Sequence, residues 1–184
     1  MNKHVIAAAS LAALISTGAT AQGYVGVDGG VSRLNADCTG TIKCDRSGNA
    51  FKITAGYVVS PALAVELGYI DFGKAKFSDA TVSATAEANG LTVGAAYELA
   101  LAPEWNFTLR GGVARMKTKI SGTVAGEGSG SASENNTAPY FGLGLNYAVS
   151  TSFKVQTGMD FSRAEFDGEK GNVRALTVGA RFDF

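Results

Sequence analysis

The carboxyl-terminal segment constrains the fold of this chain more than any other. From Leu176 to Phe184 every second residue is apolar, and the residues between them are Thr177, Gly179, Arg181 and Asp183. Successive side chains of a β-strand point to opposite faces, so this alternation predicts a strand with one apolar and one polar face. The strand is expected to run to the last residue, with Phe182 and Phe184 on its apolar face.

The same alternation recurs along the chain and predicts eight strands in all. They cover residues 23–35, 50–59, 63–73, 86–101, 104–120, 138–149, 153–166 and 173–184. Their connections alternate between short (60–62, 102–103, 150–152) and long (37–49, 73–87, 121–137), with a brief last one at 168–172. Short turns at one end and long loops at the other are typical of membrane barrels. The predicted fold is all-β: an eight-stranded antiparallel up-and-down transmembrane β-barrel.

The amino terminus has the composition of a secretory signal peptide. Lys3 supplies a basic start, residues 5–16 form an apolar run, and Ala19-Thr20-Ala21 is a small-residue cleavage pattern. The apolar run is too short to span a bilayer as a helix. We expect cleavage between Ala21 and Gln22, which leaves one barrel domain over 22–184. The alternative is a buried helix that stays attached.

Glycine indicates which face of the barrel points inward. A soluble lipocalin-type barrel would turn its apolar face in, whereas a membrane barrel turns it out to lipid. Nine glycines fall on the polar face: Gly30, Gly56, Gly68, Gly94, Gly112, Gly142, Gly144, Gly158 and Gly179. Glycine weakens a solvated strand but makes room inside a narrow barrel, so the polar face is predicted to point inward. Gly29 and Gly111 are exceptions on the apolar face.

The predicted interior carries an almost balanced set of charges. Its polar residues are Asp28, Lys52, Glu66, Glu98, Arg110, Lys154, Gln156, Asp160, Arg181 and Asp183. Buried charges must be paired and hydrogen-bonded, so this set favours a packed ionic interior over an open pore. A last hairpin centred near residue 170 would place Asp160 opposite Arg181.

Aromatic residues cluster beside the short turns on the apolar face. They are Tyr57, Tyr97, Trp105, Phe107, Tyr147, Phe153, Phe182 and Phe184. This arrangement predicts an aromatic girdle at the periplasmic side of the membrane. Tyr69 and Phe161 are candidates for a weaker girdle at the opposite side.

Three motifs resemble those of a known family: Gly23-Tyr24-Val25-Gly26, the run Ala64 to Tyr69, and the terminal Arg181 to Phe184. Together they make the chain similar to the small eight-stranded outer-membrane β-barrels, such as the transmembrane domain of outer membrane protein A. The resemblance implies export through the periplasm to the outer membrane of a Gram-negative cell. It also implies a monomer surrounded by outer-membrane lipid and lipopolysaccharide.

The resemblance further implies that barrel-assembly machinery reads Phe182 and Phe184 as an assembly signal. No domain that binds the cell wall is expected after the last strand.

Little in the sequence points to catalysis. His4 is the single histidine and lies in the predicted signal peptide, which counts against barrel enzymes with a histidine base. Glu66 and Glu98 could serve as an acid–base pair, but structural ion pairs are the preferred interpretation. No enzyme activity, cofactor or metal site is predicted. Equal numbers of basic and acidic residues, 16 each, also disfavour nucleic-acid binding.

The first and third long loops contain the most distinctive surface residues. Cys38 and Cys44 are close together in an exported chain, which predicts one disulfide that restrains the first loop or shapes a surface epitope. Residues 125–136 are rich in glycine and serine and are expected to be flexible. The leading hypothesis for function is a structural surface barrel whose loops contact a host or environmental ligand. The alternative is a narrow porin-like channel for small solutes.

Overall fold

A computed structural model of the chain describes residues 22–34, 43–45, 47–78, 82–124, 128–166 and 169–184. The predicted signal peptide with its cleavage bond lies outside the described residues. So does Cys38, and with it the predicted disulfide to Cys44.

Nine strands make up the described fold. They are β1 (Gly23–Leu34), β2 (Lys43–Asp45), β3 (Ser47–Ser60), β4 (Leu63–Ser78), β5 (Val82–Ala100), β6 (Trp105–Val124), β7 (Gly128–Ala148), β8 (Phe153–Phe166) and β9 (Glu169–Asp183). Within the described ranges, no helix is long and apolar enough to cross a membrane.

Eight of the strands close into one antiparallel ring, which confirms the predicted fold class. The ring runs β1-β3-β4-β5-β6-β7-β8-β9, and β9 pairs back with β1. That closing ladder extends from Tyr24 opposite Asp183 to Leu34 opposite Val173. A closed ring pairs the backbone N–H and C=O groups that an open sheet edge would leave without partners in lipid. The short β2 stands outside the ring and pairs with the far end of β4.

The three predicted short turns lie together at one end of the ring. They cover 61–62, 101–104 and 149–152. Backbone bonds tighten two of them, since Leu101 N donates to Trp105 O at 2.8 Å and Val149 N donates to Phe153 O at 3.0 Å. In an outer-membrane barrel this end is the periplasmic one.

Two of the predicted long loops are wrong in extent. The ladder between β4 and β5 continues to Ser78 opposite Ser83, and that between β6 and β7 continues to Val124 opposite Gly128. Residues 128–136, expected to be flexible, are therefore part of β7. Beyond the lipid the outer face no longer needs apolar residues, so the alternation that marks a strand fades. The main-chain hydrogen bonds continue regardless of the side chains.

The outside of the ring is an apolar band. On β9 it consists of Leu176, Val178, Ala180 and Phe182, and Phe184 continues it just after the strand, which ends at Asp183 rather than at the last residue. The four larger side chains are each about half exposed. These residues span about 27 Å along the strand, or about 21 Å when the strand tilts as barrel strands do. This height suits the apolar part of an outer membrane. Gly29 and Gly111 also face outward, where a Cβ would have nothing within 4 Å of it.

The aromatic girdle lies where it was predicted, at the short-turn end of the band. Tyr57, Tyr97, Trp105, Tyr147 and Phe182 all have exposed side chains. The rings of Trp105 and Tyr147 lie 4.9 Å apart, because the two residues face each other on β6 and β7. Tyr and Trp rings suit this level, since their apolar bodies meet lipid while their polar tips meet water.

Candidate functional site: the barrel interior and the outer hairpins

A buried ion pair crosses the middle of the barrel. Lys52 Nζ on β3 lies 2.7 Å from Asp160 Oδ2 on β8 and 3.9 Å from Asp28 Oδ2 on β1. Gln156 Nε2 donates to both oxygens of Asp28, at 2.8 and 2.9 Å. The hydroxyl of Tyr140 donates to Asp160 Oδ1. Both carboxylates therefore have partners on more than one strand, as buried charges require.

Glu66 is the centre of a second group. Arg110 Nε lies 3.1 Å from Glu66 Oε2 and 3.2 Å from Oε1, and the Tyr24 hydroxyl donates to Glu66 Oε1. Both charged side chains are buried. These hydrogen bonds and the ion pair with Arg110 engage both oxygens of Glu66, which agrees with a structural ion pair rather than an acid–base role.

A third group lies nearer the short turns. Arg181 donates to Glu98 and, at 2.7 Å, to Asp183, while Lys154 Nζ lies 3.1 Å from Asp183 Oδ2. The Arg181 guanidinium also lies over the Tyr24 ring, 3.5 Å from its centroid. This cation–π contact joins the third group to the Glu66 group.

The predicted pair of Asp160 and Arg181 does not form. The β8–β9 ladder places Asp160 opposite Ala175 and Arg181 opposite Lys154, because Phe166 pairs with Glu169 and the hairpin is therefore not centred near residue 170. Asp160 pairs with Lys52 across the lumen instead. All the predicted inward charges do line the interior, where they occupy the three groups described above.

Interior glycines allow these contacts between strands that are not neighbours. Gly56 stands opposite both Tyr24 and Glu66 in the two ladders of β3, and a Cβ there would overlap the Tyr24 ring. Gly94 stands opposite Glu66 on one side and Gly112 on the other. Without side chains at these positions, Tyr24 and Arg110 can each reach Glu66 across an intervening strand.

Above the ionic groups, towards the outer hairpins, the interior becomes apolar. Every strand of the ring contributes to one buried cluster: Leu34, Ala50, Ile70, Phe72, Ala75, Ala88, Ala114, Met116, Ala138, Tyr140, Ala164, Val173 and Ala175. Phe72 and Met116 are fully buried and Ile70 is 1 % exposed. We name this cluster the apolar layer.

The sequence prediction of a polar interior missed the apolar layer. Ile70 lies an even number of residues from the inward Glu66, and Met116 lies an even number from the inward Arg110. This shared parity along each strand is a signal that could have placed both residues inside. Their apolar character instead made them look like residues that face lipid.

Among the described residues no group of three or more His, Cys, Asp or Glu side chains could hold a metal ion.

The outer hairpins carry exposed charges outside the membrane band. Arg115, Lys117 and Lys119 alternate on the outer face of β6, and all three are exposed. On the neighbouring hairpin Lys74 Nζ lies 2.6 Å from Glu87 Oε1, and this hydrogen bond raises the pKa of Lys74. Lys74 is exposed and Glu87 is partly exposed, so the pair contributes little to stability. The β6 cations are therefore the more available charges.

Several solved structures of outer-membrane proteins share this architecture. A major outer membrane protein from Thermus thermophilus is similar at a TM-score of 0.62 and 14 % identity, over 90 % of this chain and 100 % of that one. Neisserial surface protein A is similar at a TM-score of 0.60 and 17 % identity, over 88 % of this chain and 97 % of that one. Ail of Yersinia pestis, in complex with the heparin analogue sucrose octasulfate, is similar at a TM-score of 0.58 and 18 % identity, over 88 % of this chain and 99 % of that one. These identities show the fold alone.

Among curated protein sequences, none matches the chain significantly. A family model, however, covers most of its length: the OmpA-like transmembrane domain matches residues 18–178. This match agrees with the closed eight-stranded ring, the apolar outer band and the location in the outer membrane. The chain belongs to the family of OmpA-like transmembrane domains.

Proposed function

We propose that the protein is a closed, non-enzymatic surface barrel that meets its partners through its outer hairpins and not through its lumen. The observation that carries this proposal is the apolar layer. All eight strands of the ring contribute to it, and it lies above three ionic groups whose charges are already paired. A solute would have to break both the packing and the ion pairs to pass.

The same observation argues against the porin-like alternative. A passive channel needs a continuous water path, and an apolar constriction closes such a path to ions when it excludes water. We assign this constriction to the buried side chains of Phe72, Ile70 and Met116, and the ion pair of Lys52 with Asp160 lies in the lumen beneath them.

Ion conductance tests whether the interior is closed. Residues 22–184, refolded and confirmed as folded by a heat-dependent shift in gel migration, are expected to give a silent planar bilayer. A general porin added afterwards should produce steps, which shows that the bilayer can report a channel. Steady, single-level steps from the protein itself would overturn the closed-barrel proposal.

Chemistry on the outer hairpins suggests a class of partner. Arg115, Lys117 and Lys119 present three cations on one exposed face. Ail, which shares the fold, is described as an attachment invasion locus protein and was solved with a heparin analogue. Sulfate groups on a polymer would pair with such a row of cations. We therefore include contact with a polyanionic glycan in the proposed function.

Heparin binding tests this partner class. Protein in neutral lipid vesicles is expected to bind heparin, and Lys117→Gln/Lys119→Gln is expected to weaken binding about fivefold, at about 0.5 kcal/mol per exposed charge. Binding should also weaken as salt is added. Lys74→Gln is the control. It also removes an exposed positive charge, but Lys74 already forms an ion pair with Glu87 and is less available to a glycan. Equal heparin affinity for wild type and the double variant would contradict the glycan assignment.

A further inference from the structure

We propose that the outer face of β1, β8 and β9 binds the phosphorylated headgroup of a lipid in the outer leaflet. The site is centred on three exposed arginines, Arg33, Arg163 and Arg174, which we name the arginine cluster. The arginine cluster is separate from the β6 cations used in the proposed function. An experiment can therefore contradict either proposal and leave the other standing.

The arginine cluster lies at the upper border of the apolar band. Along each of the three strands, the outward residue one step nearer the band is apolar: Val31 before Arg33, Phe161 before Arg163 and Leu176 before Arg174. The border of the band is the level of the lipid headgroups. Three guanidinium groups are therefore held where phosphates of the outer leaflet lie.

Strand register brings the three arginines onto one surface. Arg33 stands directly opposite Arg174 in the β1–β9 ladder, and Arg163 stands opposite Asn172 in the β8–β9 ladder, one outward residue from Arg174. Side chains directly opposite each other begin about 5 Å apart, and like charges in that position repel. In the described part of the chain, none of the three has an ion-pair partner. An external anion would relieve the repulsion.

Cations are not spread evenly around the border. On β3, β4 and β5 the first polar outward residues are Asn49, Asp71 and Asn89, whereas β6 has Arg115 at this level. A general preference for basic residues near headgroups would place cations on these strands as well. The uneven distribution favours a local site.

Two clefts with apolar walls adjoin the arginine cluster, and Arg174 lines both. One, of about 390 Å³, lies between Arg33 and Arg174 beside Met159 and Leu176. The other, of about 360 Å³, is bordered by Arg163 and Arg174 beside Phe141 and Phe161. Grooves of this kind can take the upper part of an acyl chain.

The second cleft has a structural cause. The β7–β8 ladder stops at Phe141 opposite Phe161, and the next outward residue of β7 is Pro139, which has no N–H to continue the ladder. The strands part there, and Ser162 Oγ donates to Pro139 O at 3.1 Å across the gap. The rings of Phe141 and Phe161 lie 6.4 Å apart below the gap.

These features together select a phosphorylated lipid rather than another anion. Guanidinium groups bind phosphate oxygens through paired N–H donors, and more strongly than neutral donors do. The apolar walls add contacts that only an acyl chain would fill. The expected ligand is a phosphorylated glycolipid whose phosphate bridges Arg174 to Arg33 or Arg163.

Affinity for a defined glycolipid tests the proposal. Refolded protein in detergent is titrated with bisphosphorylated lipid A and, separately, with its dephosphorylated form, and Kd is measured. Arg33→Gln/Arg163→Gln/Arg174→Gln is expected to weaken binding of the phosphorylated form at least about tenfold, through loss of the charge-assisted contacts. The matched control, Arg115→Gln/Lys117→Gln/Lys119→Gln, removes the same charge from β6 and should bind like wild type.

Each other outcome overturns the proposal. Equal weakening in both triple variants would mean attraction by overall charge. Equal affinity for the dephosphorylated lipid A would show that the phosphate groups do not contribute to binding. Displacement of the lipid by millimolar inorganic phosphate would show a site for free phosphate instead. Because all six substituted side chains are exposed, a heat-dependent gel shift identical to that of wild type is expected for both variants.

Discussion

Replacement of Arg110 by methionine is expected to destabilise the barrel by about 3–5 kcal/mol. The change leaves the Glu66 carboxylate buried, with the Tyr24 hydroxyl as its remaining donor within the described residues. The buried, ionised Glu66 carboxylate then lacks the positive charge of Arg110 that compensates it in the wild type. Methionine keeps most of the volume of arginine, so the expected loss comes from charge rather than from a cavity.

A double-mutant cycle isolates the pair. Glu66→Gln/Arg110→Met removes both charges and should recover most of the stability lost in Arg110→Met. The free energy of unfolding is measured by urea titration in lipid vesicles, with tryptophan fluorescence of Trp105 as the signal. Lys74→Gln, which removes an exposed partner of Glu87, should leave the free energy of unfolding almost unchanged. A loss no greater for Arg110→Met than for Lys74→Gln would contradict the buried-pair interpretation.

Truncation of Phe72 to alanine is expected to cost about 3–5 kcal/mol, the range for a large buried aromatic side chain. Phe72 is fully buried in the apolar layer, and Ile70 and Met116 belong to the same cluster. Strands fixed in a closed ring cannot collapse far into the space that is left, so a cavity should remain.

The same urea titration measures this loss. Phe72→Leu fills much of the space and should cost clearly less than Phe72→Ala. Phe51→Leu is the control at a lipid-facing site on a neighbouring strand, where lipid can adapt to the smaller side chain. If Phe72→Ala were within about 1 kcal/mol of wild type, the apolar layer would not be a packed core.

Sequence alternation predicted the strands well where one face meets lipid and the other meets the polar interior. It located the short turns and the outward girdle at Tyr57, Tyr97 and Trp105. It failed in the outer hairpins, where residues 73–78 and 128–137 are paired strands rather than loops. Apart from Phe77, both segments consist of polar residues, glycine and alanine, so the contrast on which alternation depends is missing.

The interior was predicted only in part. Parity placed Asp28, Lys52, Glu66 and Arg110 inside, because inward and outward positions follow directly from the period of a strand. Parity could not say that the inward face changes from charged to apolar above Tyr140. That change depends on which residues of eight different strands share one level of the barrel.

The sequence by itself determined the number of strands in the ring, their alternation of faces and the end at which the short turns lie. These properties depend on residues that are near one another in the chain. Only the tertiary structure decided that Asp160 meets Lys52 rather than Arg181, that buried apolar side chains from eight strands form one layer, and that Arg33 stands beside Arg174. Those contacts depend on the register of the closed ring, where a shift of a few residues in one hairpin changes every partner across it.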